Sequence, residues 1–183
     1  MTVARLYFFV VATLVCGLSP LTATPAHADD WEFAEFGMTV DQVAVASGGR
    51  AVTCMGKMAE WCRSHSPGYA WTALWMKLKV DGYDVIALFN FDDKTGRFAE
   101  VSLTLSNPLD NQRWFEETRD KLQRLYGPEK RDSIASTPAW KWKWEKGEIW
   151  MYDPPRASLG AASMRYVSLA GIAAMGLKPF DPN

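Results

Sequence analysis

Histidine is nearly absent from this chain: His27 and His65 are the two present in 183 residues. Ser/His or Cys/His catalysis would therefore hang on very few imidazoles, and past the N-terminal leader on His65 alone. No glycine-rich phosphate loop follows a strand-like run, and no catalytic constellation stands out, so the chain is read as a non-enzyme. Neither sign of charge dominates. Lys+Arg number 20 and Asp+Glu 21, a balance that shifts by one if Arg5 leaves with a leader. The footprint of a nucleic-acid or anionic-lipid binder is missing.

Long apolar runs are missing as well. The one candidate, LYFFVVATLVCGL, is broken by Gly17, followed by Pro20 and too short for a membrane span. With Arg5 ahead of it and Ala26-His27-Ala28 behind, it reads as the core of a signal peptide over residues 1–28. Val15 stands where a lipobox requires a small residue, so Cys16 belongs to the leader rather than to a lipid anchor. The expectation is a single α+β domain over residues 29–183, periplasmic or secreted, with no membrane span.

Cysteine is scarce too, and past residue 28 only Cys54 and Cys62 remain. In an oxidising compartment they form one disulfide, contributing roughly 2.5 kcal/mol through loop closure. On one continuous helix the two positions would lie about 12 Å apart, too far to bridge, so an irregular loop is expected. The same stretch, TCMGKMAEWCRSH, holds soft donors. Met55, Met58 and His65 beside two thiolates suit Cu(I), whereas a disulfide consumes both thiolates. A stapled loop with no cofactor is the primary reading and a copper site the alternative.

Tryptophan is what the chain has in abundance, and all nine lie beyond residue 28. They fall on strongly patterned segments. YDVIALFNF is a short apolar run that reads as a central strand. Asp81-Gly82 folds it back onto ALWMKLKV, and DDKTGR folds it forward onto FAEVSLTL. Trp140-Lys-Trp-Lys-Trp144 alternates, turns at Lys146-Gly147 into EIWMY, and ASMRYVSL follows as a further strand. Two helices are expected. Thr39 and Gln42 form a capping box after Met38, and Gly48-Gly49 ends that helix. Over Asn111–Tyr126, Phe115, Thr118, Leu122 and Leu125 make an apolar stripe that Trp114 and Tyr126 widen. Glu117–Lys121 and Asp120–Arg124 fall on the solvated side with Arg119. The fold expected is an antiparallel sheet of about six strands with two helices packed on one face. Its order of helix, three strands, helix, three strands suggests two similar halves.

The stretch GMTVDQV resembles the opening of the SmpA/OmlA-type outer-membrane assembly lipoproteins, and the helix-then-sheet order is similar to units of the β-lactamase-inhibitor-protein fold. The resemblance spans these seven residues and implies a helix–strand fold in the cell envelope. Ser47-Gly48-Gly49 stands where those proteins carry a Leu-Gly-x-Pro helix end, and no role in assembly is carried over.

Hairpin parity assigns the faces. Val80 and Tyr83, Leu78 and Val85, Met76 and Ala87, Leu74 and Phe89 point together toward the helices, as do Trp142, Trp144, Ile149 and Met151. The opposite face receives Trp71, Trp75, Ile86, Leu88, Lys141, Lys143, Trp150 and Tyr152, with Lys79 across from Asp84. Two readings of that second face stand. It is covered by the lead-in Trp31–Phe36 or the tail Val167–Phe180, or its Trp71, Trp75, Trp150, Tyr152, Lys141 and Lys143 form a binding surface. The functional expectation is a non-catalytic envelope protein that binds another macromolecule through this face or the Cys54–Cys62 loop. The alternative is a periplasmic small-molecule or copper-binding protein.

Overall fold

The computed structural model describes residues 31, 33–134, 137–152 and 161–180. The expected leader over residues 1–28 lies outside them. The chain runs α1 (Val40–Ala46), β1 (Val52–Thr53), α2 (Lys57–His65), β2 (Ala70–Val80), β3 (Tyr83–Asp92) and β4 (Phe98–Leu105). It continues with a short 3-10 turn (Pro108–Asp110), α3 (Asn111–Tyr126), β5 (Lys130–Ile134), β6 (Thr137–Trp144), β7 (Gly147–Tyr152), β8 (Ser163–Ser168) and α4 (Leu169–Ala174). All eight strands join one antiparallel sheet in the order β1-β2-β3-β4-β8-β7-β6-β5. Among the described residues the sheet has eight strands rather than the expected six or so, and there are four α-helices rather than two. Read from either edge, the order is the same: a four-stranded meander on each side, with β4 and β8 meeting at the centre.

Local chemistry explains most elements. The capping box of α1 is formed, Thr39 N–H donating to Gln42 Oε1 at 2.8 Å and Gln42 N–H to Thr39 Oγ1 at 3.3 Å. Asp81 and Gly82 both take positive φ, the twist a two-residue hairpin requires. The expected pairs from Val80–Tyr83 through Leu74–Phe89 all form, and Lys79 meets Asp84 at 2.8 Å. In the second hairpin the register differs by two residues. Glu145 and Lys146 make the turn, and Trp144 pairs with Gly147. A slip of two preserves every side chain's face, so Trp142, Ile149 and Met151 still point into the core.

The main core lies between one face of the sheet and α1, α3 and the lead-in, with Trp31, Trp114, Phe115, Leu122 and Trp142 at its heart. Trp31 packs on Tyr166 at 4.8 Å, so the lead-in covers this first face. On α3, Leu125 leaves the stripe and is 39% exposed. The intrahelical pairing expected of Lys121 is replaced by Asp81 of the β2–β3 turn, at 2.7 Å. Glu117 instead accepts the Tyr83 hydroxyl at 2.8 Å. Both partners belong to the sheet, so the charges dock the helix rather than decorate it.

The remaining helices attend the opposite face. Ser66, just past α2, reaches Thr72 on β2 at 2.9 Å. The short α4, capped by Ser168 Oγ accepting from Gly171 N–H at 3.0 Å, packs Ile172 against Trp150 and Val167. Among the described residues, no helix is long and apolar enough to cross a membrane.

Candidate functional site

The second face is built around a break in alternation that parity alone does not anticipate. Ala73 on β2 and Ala99 on β4 are each an extra residue beside β3, between Thr72/Leu74 and between Phe98/Glu100. Each bulge turns the preceding part of its strand over. Trp71 is thereby moved off the second face and lies beside Phe91, ring centroids 5.9 Å apart. Thr72 takes the second face instead.

Between the bulges sits a buried polar cluster that sequence reasoning missed. Thr72 Oγ1 donates to Asn90 Oδ1 at 2.6 Å, and Asn90 Nδ2 donates to Glu100 Oε1 at 2.9 Å. Ser102 Oγ donates to the same carboxylate oxygen at 2.6 Å. The Tyr69 hydroxyl donates to Glu100 Oε2, whose residue is 0% exposed. Three donors thus serve one buried carboxylate, the condition under which a buried charge is tolerable. Burial first, then the Glu100 charge and the hydrogen bond to it, push the Tyr69 phenol well above its ordinary range. The sequence did carry a signal. In both W-T-A-L and F-A-E-V an aromatic residue precedes a buried aliphatic one on the same face by three positions rather than two.

Arg165 of β8 lies beside this cluster, with Ser102 and Trp150 as its cross-strand neighbours. Its Nη1 is 3.8 Å from Glu100 Oε2, and its guanidinium carbon stands 5.1 Å from the centre of the Tyr152 ring. Burial pulls the Arg165 pKa down, but Glu100, Tyr152 and Tyr69 outweigh it and hold the group raised and charged. Tyr152 is pushed up to about 12, by burial above all.

The six side chains read as a possible binding surface are therefore divided. Trp150 is 0% exposed under α4, its indole N–H donating to Glu148 Oε2 at 2.6 Å. Lys141 is buried as well, paired with Asp132 at 2.9 Å and 5.1 Å from the Trp150 ring. Tyr152 and Trp75 are half-buried on the second face, Lys143 is exposed on it, and Trp71 is exposed on the other. The tail closes over this end, Phe180 N–H donating to the Glu148 carboxylate. Of the two coverings weighed, the tail lies here and the lead-in on the first face.

The disulfide joins Cys54 and Cys62, Cα atoms 6.1 Å apart. The loop it closes is not irregular throughout: Cys54 precedes α2 and Cys62 lies within it, so the helix need not span both. Met55 is exposed and Met58 half-buried. His65 stacks on Trp61 at 4.2 Å, its Nδ1–H donating to the Trp61 carbonyl at 2.8 Å. Among the described residues, no group of three or more His, Cys, Asp or Glu side chains is placed to hold a metal ion. Compared with family models, with curated proteins and with solved structures, the chain matches none of them.

Proposed function

We propose that this chain is a non-catalytic protein of the cell envelope, periplasmic or secreted, that grips a macromolecular partner, foremost another envelope protein, along its β1–β2 edge. One observation carries the reading. Val52 is 44%, Met55 70% and Trp71 44% exposed, and all three sit where the disulfide-held segment meets β2. Val52 pairs with Trp75, and Cys54, next to Met55, bonds Ala73. They flank both faces of one strand edge, Val52 on the side of Trp75 and Trp71 on the other. Large apolar side chains concentrated along an edge favour an interaction surface, whereas scattered ones mean little. The disulfide supports an oxidising compartment. The buried carboxylates Glu100 and Glu148 are occupied by protein donors, which favours a structural rather than a proton-transfer role.

The test is site-specific photocrosslinking in cells that export the protein. A photoreactive residue replacing Met55 or Trp71 should give a discrete adduct. The same residue replacing Leu109, which is 92% exposed on the turn before α3, should not. Adducts of equal yield from all three positions, or from none, would reject the edge as the contact.

A further inference from the structure

Arg165 has an unmet need. Its side chain is 26% exposed, yet among the described residues its guanidinium makes no hydrogen bond. The nearest acceptor, Glu100 Oε2 at 3.8 Å, is beyond hydrogen-bond range and already accepts from Tyr69. The other oxygen of that carboxylate serves Asn90 and Ser102. A largely desolvated guanidinium without acceptors is costly, and native structures seldom leave one so unless something else supplies them. Here the charge is held on one side by Glu100 and on the other by the Tyr152 ring at 5.1 Å. The fork of N–H donors is thus positioned but not used.

We infer that Arg165 and Tyr152 form a binding site for a carboxylate on the second face of the sheet, separate from the β1–β2 edge. The choice of anion follows from charge and shape. Glu100 stands 3.8 Å from the guanidinium and opposes any further anion, a phosphate dianion about twice as strongly as a monoanion. A planar carboxylate also matches the guanidinium fork through two parallel hydrogen bonds. Tyr152 adds a hydroxyl donor. With its pKa pushed up to about 12, that hydroxyl keeps its proton at neutral pH. The half-buried Trp75, Ile86, Thr104 and Ser163 leave this part of the face less covered than the region of Trp150. A free small carboxylate and the C-terminal carboxylate of a peptide share the required chemistry.

The experiment is a titration of the full oxidised chain, 15N-labelled, read at the Arg165 Nε–Hε resonance. The probes are sodium benzoate, N-acetyl-dialanine, its C-terminal amide and inorganic phosphate, at equal ionic strength. A saturable shift with a Kd on the order of 1 mM is expected from benzoate, from acetyl-dialanine, or from both. Benzoate binding as tightly as the peptide identifies a small-molecule site, and binding of the peptide alone identifies a chain terminus. Arg165→Lys should abolish the response elsewhere on the face. Tyr152→Phe, which leaves the guanidinium in place, should weaken it several-fold. No saturable shift with either carboxylate overturns the inference, as does an equal response to the amide or to phosphate.

Discussion

Gly147 shows how narrowly one residue can be prescribed. A Cβ there would lie 1.9 Å from the Val167 carbonyl oxygen, and that oxygen belongs to the backbone of the adjacent strand. Gly147→Ala should therefore destabilise by about 1–3 kcal/mol or more, as overpacking does. Gly96→Ala, in open space at φ +64, should cost only about 1 kcal/mol for its left-handed backbone. Urea midpoints compare the two, and equal losses would contradict the close approach. On α3, Leu122→Ala should cost about 2–5 kcal/mol as a core cavity. Arg119, expected on the solvated side, instead stacks 4.2 Å from the Trp140 ring centre and pairs with Glu129 at 2.6 Å. Its replacement by alanine should cost about 1 kcal/mol rather than nothing, still well below the Leu122 loss. The periodic stripe made Leu122 legible. Arg119's partners come from beyond the helix and left no trace in its spacing.

Among the elements, those with strong periodicity were legible and those held by their neighbours were not. Six strands and two helices follow from alternation, capping and turn residues. β5, with sequence KRDSI, carries no alternation and exists because it pairs with β6. α4 has only six residues and owes its place to the Ser168 cap and to Ile172 packing on Trp150. α2 was obscured because the bridging distance rules out a helix holding both cysteines but not a shorter one holding Cys62 alone. The bulges had the greatest effect on the candidate site, because each reverses the faces of the residues before it. Trp71 and Trp75 were expected on one face and lie on opposite ones. Stability should register the difference in cover. Trp150→Ala should cost about 3–5 kcal/mol, whereas Trp75→Ala, half-buried, should cost less than half as much. A small loss at Trp150 would mean that α4 does not seal this end of the sheet.

For the molecule as a whole, acid is the expected point of weakness. Glu129 is pushed up by burial but held below its ordinary value by hydrogen bonds, first from Gln123, and by Arg119. Asp92 is lowered by Thr95, and Asp132 by Lys141. Folded values below unfolded ones give stability that is complete above the ordinary carboxylate range, about 4, and lost as pH falls through the folded values. Thermal midpoints should hold near neutrality and fall below that range, and Glu129→Gln should flatten the fall. A midpoint that rises on acidification would reverse the assignment. The mirrored strand order has a further consequence, in biosynthesis. β4 acquires its second neighbour only when β8 is made, since residues 100–104 pair with 163–167. Until then a strand bearing Val101, Leu103 and Leu105 is an open hydrophobic edge, the kind that recruits other chains. A chain ending at Tyr152 should therefore self-associate in light scattering where the full chain does not, and a β8 peptide added in trans should suppress it. The last of the described strands to leave the ribosome is the one that protects the first half from its own copies.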